Sequence, residues 1–164
     1  MLISILCVDK KFGIGKNNGL LFHLPKDMAF FRETTKGHTV CMGENTLLSF
    51  PNSKPLPNRK NIVLSQDETH NYEGCENIHN FDKFILRITE LAKTEDIFVI
   101  GGASIYRQTL PFVDEVLLTK VDADGEATVF FPNIDEDPSF KCVEEGEEIQ
   151  DGEYTIRFCK YIKN

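Results

Sequence analysis

No C-x-x-C pair occurs among the five cysteines of this 164-residue chain, and no H-E-x-x-H, G-x-S-x-G, G-x-G-x-x-G or P-loop signature is present. Five is an odd number, so neither a disulfide framework nor a zinc site is signalled. Four of the five lie in apolar runs, where cysteine acts as a small core residue, and such usage points to a reducing compartment. Tryptophan is missing altogether, so no site can draw on an indole N–H. Long hydrophobic runs are missing too. The apolar start, Met1 to Val8, is too short for a membrane span. It has no basic leader and no small-residue cleavage site, so a buried strand is expected rather than a signal peptide. Glycine (11) and proline (7) are too sparse for a low-complexity chain.

Basic charge is the next shortage. Eighteen Lys and Arg stand against 26 Asp and Glu, a formal net charge of −8, which disfavours a general nucleic-acid binder. The deficit is local: residues 122–153 hold 12 of the acids and a single base, Lys141. The remainder, with 17 bases and 14 acids, can still attract a small anionic ligand, while the acidic segment reads as a solvated face. Hydrophobic residues make up 41% and charged residues 27%, ordinary for one folded domain covering 1–164.

What is present reads as alternating strands and helices. Strands are expected at Leu2–Val8, His38–Met42, Asn61–Ser65, Asn77–His79, Ile97–Ile100 and Glu115–Val121. Helices are expected from Pro25 to about Thr35, after Gly43, over Phe81–Lys93 and over Ala103–Leu110. Lys10–Gly19 reads as a loop. The last 25 residues look β-rich, with strands at Phe140–Val143 and Tyr154–Tyr161 and an Asp151–Gly152 turn. Such alternation predicts an α/β fold with a mainly parallel sheet, helices on both faces and an antiparallel C-terminal pair.

Four constellations carry chemistry. Leu24, Asp27, Met28 and Phe31 fall on one helix face, placing a carboxylate among apolar side chains. Such an acid suits an amidine-like N–C–N edge or proton delivery; the alternative is a first-turn acid facing solvent on the helix dipole. Strand–Gly101–Gly102–helix lets backbone approach a ligand and offers free N–H groups to an anion, or is simply a tight turn. Gly43 followed by Glu44, Asn45 and Thr46 repeats that design, and two such units suggest an elongated phosphate-bearing ligand, although Glu44 has the wrong sign. Pro55, Leu56, Pro57 and Arg59 form a stiffened loop that is either a carboxylate clamp or a support for a solvated arginine. The four histidines are scattered, and no metal site is expected.

In order along nearly the whole chain, these residues resemble dihydrofolate reductase. The matching positions are Ser4–Asp9, Ile14, Gly15, Leu20, Leu24, Pro25, Asp27, Phe31, Thr35, Val40–Gly43, Thr46, Pro55–Pro57, Arg59, Asn61–Ser65, Val99–Gly102, Tyr106, Leu110, Pro111, Phe131 and Pro132. The resemblance implies an eight-stranded mixed sheet with an adenosine-binding subdomain over roughly 38–105. It implies NADPH-dependent reduction of 7,8-dihydrofolate to tetrahydrofolate by a cytoplasmic monomer, with no nucleic-acid or membrane partner. The alternatives are a related pterin or pyrimidine reductase, or a nucleotide-binding relative with weakened catalysis.

By the same resemblance, Asp27 binds the pterin edge and supports protonation at N5, Thr119 hydrogen-bonds that acid, and Phe22 and Tyr106 complete the catalytic set. Ile5, Met28, Phe31, Phe50, Leu56 and Ile100 line the substrate pocket, and Arg59 clamps the glutamate α-carboxylate. Cys7, Ile14, Leu20, Gly43, Asn45, Thr46, Leu64, Ser65, Gln66, Ile100, Gly101, Gly102, Ala103, Ser104, Ile105 and Tyr106 contact the cofactor. Gly13–Leu20 matches a mobile loop. The chain also departs from the family pattern. Leu21 and Phe22 replace the usual Pro-Trp, and Glu44, Gln66 and Ser104 stand where basic residues often grip the 2′-phosphate. Glu126, Ala127 and Thr128 replace a Gly-Asp-Thr that supports the mobile loop.

Overall fold

Period-two alternation along β1 (Leu2–Val8) sends Leu2, Leu6 and Val8 into one core and Ile3 and Ile5 into another. The computed structural model describes residues 1–17 and 19–164; Asn18, within the expected mobile loop, lies outside the described residues. β7 (Glu115–Val121) repeats the alternation beside β1, with Val116 and Leu118 on the first side and Leu117 on the second. Each core therefore covers one face of the sheet, as the mixed α/β pattern requires.

The main sheet continues through β3 (Thr39–Gly43), β4 (Lys60–Leu64), β5 (Cys75–Ile78) and β6 (Ile97–Val99). Its other edge is β9 (Phe140–Glu145), β10 (Ile149–Asp151) and β11 (Tyr154–Lys163). The order is β10-β11-β7-β1-β6-β3-β4-β5, with β9 also on β11. The five pairs from β7 to β5 are parallel, and all β11 pairs are antiparallel. β9 and β10 pair successive halves of β11, so nine strands fill eight ranks and the expected eight-stranded mixed sheet stands. The Gly146 N–H bridges the break by donating to Phe158 O at 2.8 Å.

Helices α1 (Pro25–Thr35), α2 (Glu44–Leu48), α3 (Phe81–Leu91) and α4 (Ala103–Thr109) follow the sequence reading to within a few residues. α3 anchors the first core through Phe84 and Ile88, both with no exposed surface. The loop expected at Lys10–Gly19 contains a short strand, β2 (Gly13–Gly15), paired with β8 (Val129–Phe130). The Thr128 N–H donates to Gly15 O at 2.9 Å, and buried Asp9 accepts from Gly13 N and Gly125 N at 2.7 and 2.9 Å. The segment around Ala127 is thus tied to the loop by backbone bonds and by Asp9. None of the described helices is long and apolar enough to cross a membrane.

Candidate active site

α1 starts with a local defect. Pro25 suits the first helical position, but Leu24 before it has no acceptor with which to cap the free N–H groups. The cap comes from 124 residues away: the Asp151 carboxylate, 1% exposed, accepts from Lys26 N at 3.0 and 3.1 Å and from Asp27 N at 3.1 Å. Asp151 ends β10 with its side chain turned inward. The turn itself falls on Gly152, whose φ of +62° suits glycine.

The capped turn presents Asp27. Its Oδ1 accepts from Thr119 Oγ1 at 2.6 Å, and Thr119 stands opposite Cys7 in the β1–β7 register. The Cys7 side chain lies close enough to Asp27 to affect its charge. Burial raises the Asp27 carboxyl above its ordinary range, and the Asp151 charge adds to this; the Thr119 bond and the nearby Cys7 thiol oppose it. Burial likewise pushes the Cys7 thiol far up, with Asp27 adding, so Cys7 stays a neutral thiol.

From Asp27 the helix leads to an arginine. Asp27, Phe31 and Thr35 recur every four residues on one face and cover roughly 12 Å, at about 1.5 Å per residue. Phe31 joins an apolar cluster that includes Ile5, Phe50, Leu56 and Ile100. At the far end Arg59 Nε donates to Thr35 Oγ1 at 2.8 Å, while Nη1 and Nη2 donate to Pro57 O at 2.6 Å and Arg32 O at 3.3 Å. Among the described residues no carboxylate pairs with this guanidinium. Burial, then nearby Arg32, lowers its pKa. Buried Asn61 braces the loop, accepting from Leu56 N at 3.0 Å and donating to Leu56 O and Arg59 O.

A second region gathers at the carboxyl ends of β3, β4 and β6. Gly43 N donates to Gly101 O at 2.9 Å. Gly101 has φ +133°, and a Cβ there would lie 3.1 Å from Thr46 Oγ1 and 3.6 Å from Tyr106 Cε2. Tyr106 is buried and donates to Ile5 O at 2.8 Å, linking this region to the apolar cluster beside α1. Ser65 donates to Glu44 Oε2 at 2.9 Å; Tyr72 OH and His70 Nδ1 reach the same oxygen at 2.5 and 2.7 Å. These bonds, Tyr72 first, hold the Glu44 carboxyl below its usual range, and the Tyr72 phenol is pushed up to about 12.

The remaining expected site residues occupy varied settings. Met28 is 47% and Leu20 82% exposed, and Asn45, Gln66 and Ser104 are also exposed. Leu64, Ile105 and Tyr106 belong to the first core, and Ile14 packs against it; Ile105 Cγ1 lies 3.0 Å from where a Cβ on Gly43 would be. Phe22 packs on Tyr154 with ring centroids 4.7 Å apart, in a cluster with Cys7. Gly102 caps α4, and Ala103 opens it. A cleft of about 290 Å³ lined by Val8, Lys120, Asp135 and Arg157 contains none of these residues. Val8 and Lys120 follow Cys7 and Thr119 along their strands and so point to the opposite face.

An open sheet whose parallel strands end at glycine turns, beside a partly buried acid, is the arrangement of α/β enzymes that bind ligands at the strand ends. The family model for dihydrofolate reductase matches residues 1–163. A dihydrofolate reductase of Bacillus subtilis (strain 168) is 36% identical, covering 99% of this chain and 95% of its own. One from Neisseria gonorrhoeae is 38% identical over 74% of this chain and 73% of its own. Among solved structures, dihydrofolate reductase from Enterococcus faecalis complexed with NADP(H) and RAB-propyl superposes with a TM-score of 0.85. It has 30% identity and covers 100% of this chain and 96% of that one. The chain belongs to the dihydrofolate reductase family.

Sequence reasoning missed Asp151, His70 and Tyr72, and named Thr35 without a role. A leucine in front of Pro25 was the available signal for the first, because a helix start with no local cap needs an acceptor from elsewhere.

Proposed function

We propose that the protein reduces 7,8-dihydrofolate to 5,6,7,8-tetrahydrofolate with NADPH. The observation that carries this reading is the line along α1: a carboxylate, an aromatic wall and an unpaired guanidinium, spaced for a ligand with an N–C–N edge at one end and a carboxylate at the other. Family membership supports the same reaction. The cofactor reading rests on the place of these glycines at the strand ends, where packing against Ile105 and Thr46 already requires residues without side chains.

NADPH, when bound, supplies the hydride. Gly43, Thr46, Gly101 and Gly102 would hold it at the strand ends. Asp27 accepts hydrogen bonds from the 2-amino/N3 edge, orients the pterin and supports delivery of a proton to N5. Thr119 fixes the direction of its carboxylate. Ile5, Phe31, Phe50, Leu56 and Ile100 exclude water from the reacting face. Arg59, aligned by Thr35 and Pro57 O, forks onto the α-carboxylate of the glutamate tail.

Turnover is followed as the loss of NADPH absorbance, with dihydrofolate and with a dihydropterin lacking the tail. The reading predicts turnover of both and a much lower KM for dihydrofolate. No turnover of dihydrofolate, or equal KM values, would sink it.

A further inference from the structure

We propose that Asp151 is a positioning residue for Asp27: from the end of β10 it caps α1, fixes the backbone of Asp27 and places a second carboxylate beside it. This rests on the catalytic reading of Asp27 above. The geometry is specific. Both Asp151 oxygens are used on first-turn N–H groups, one of them Asp27's own, and the side chain is 1% exposed. No local side chain does this work, because the capping position is Leu24. The Lys26 ammonium, which could neutralise Asp151, donates instead to Gln150 O at 2.6 Å. The hairpin is thereby stitched to α1 by main-chain and side-chain bonds.

A purely structural cap could be any neutral acceptor; serine and asparagine serve as well as aspartate at helix starts. A carboxylate adds charge in a half-buried place. The groups that face Asp27 are the Cys7 thiol from β1, the Thr119 hydroxyl from β7, the Tyr106 phenol from α4 and Asp151 from β10. The first three are neutral at ordinary pH, so Asp151 brings the negative charge. A like charge makes the ionised form of Asp27 less favourable, so Asp27 keeps its proton to higher pH than it would without Asp151. The helix dipole acts on Asp27 in the opposite sense, and Asp151, seated on the same N-terminus, offsets it.

Asp151→Asn keeps an acceptor for the cap and removes the charge; Asp151→Ala removes both. The carboxyl titration of Asp27 is read by ¹³C NMR in the full-length protein, with the resonance assigned by its loss in Asp27→Asn. The pH profile of the reduction step is measured in single turnovers, and melting temperatures are taken alongside. In Asp151→Asn the Asp27 midpoint moves to lower pH, the profile of the reduction step moves with it, and the melting temperature falls less than in Asp151→Ala. An Asp27 midpoint in Asp151→Asn that stays put or rises overturns the proposal. A midpoint that moves while the profile does not follow leaves Asp151's hold on Asp27 standing and overturns the catalytic role given to Asp27.

Discussion

In the proposed reaction, Asp27 sets function against stability in one side chain. Its folded-state pKa is raised, chiefly by burial. An acid shifted upward contributes stability that is fully present below the unfolded value, 3.8, and lost as pH rises through the folded one. At neutral pH the Asp27 charge therefore costs stability. Asp27→Asn should melt at a higher temperature than wild type at neutral pH, with the advantage disappearing below the ordinary carboxyl value. The same variant should lose about 10²–10⁴-fold in turnover of dihydrofolate. A variant that melts lower at neutral pH would contradict the burial argument, even if its activity fell.

Glu44 is the other residue whose chemistry runs against expectation. Its carboxylate is gripped on one oxygen by Ser65, Tyr72 and His70. Those three donors are therefore occupied rather than free for the 2′-phosphate, which the family resemblance places nearby. Glu44→Arg releases them and reverses the charge. It should raise NADPH affinity by roughly 1–3 kcal/mol, a factor of about 5–150, with little change for NADH. Fluorescence titration of both cofactors at low and moderate salt checks this; equal gains for NADH would place Glu44 away from the 2′-phosphate.

At the scale of elements, the Gly101–Gly102 turn joins β6 to α4 and brings Gly43, Thr46 and Tyr106 into one contact set. Gly101 sits at φ +133°, a conformation L side chains rarely adopt, and its missing side chain leaves room beside Thr46. Gly101→Ala should cost about 1–3 kcal/mol in unfolding free energy and weaken NADPH binding together with it. Denaturant unfolding and cofactor titration of the same preparation measure both. Retention of wild-type values would mean that the turn neither needs glycine nor touches the cofactor.

For the whole molecule, the fold was legible where periodicity is strong. Apolar runs at β1, β6 and β7 and the spaced apolar face of α3 announce a sheet with helices on both sides. β2 and β8, of three and two residues, carry no period, and their pairing depends on Asp9, far along the chain from Gly125. β10 was invisible for the same reason, and with it went Asp151, because Asp-Gly reads as a turn whichever way the aspartate points. Of the site, the Asp27–Phe31–Arg59 line was legible from helical spacing and resemblance. Thr35 as a brace for Arg59, and Tyr72 and His70 around Glu44, needed the loops to be placed in three dimensions.

The central claim is that one substrate lies along α1, with its reacting ring at Asp27 and its tail at Arg59. Single-turnover kinetics of wild type, Asp27→Asn and Arg59→Lys on dihydrofolate and on a tailless dihydropterin test it most directly. The account predicts that Asp27→Asn slows the reduction step on both substrates. Arg59→Lys should leave that step nearly intact and weaken binding of dihydrofolate alone, by about 1.5–3 kcal/mol. Equal weakening of both substrates by Arg59→Lys, or an unslowed step in Asp27→Asn, would contradict it.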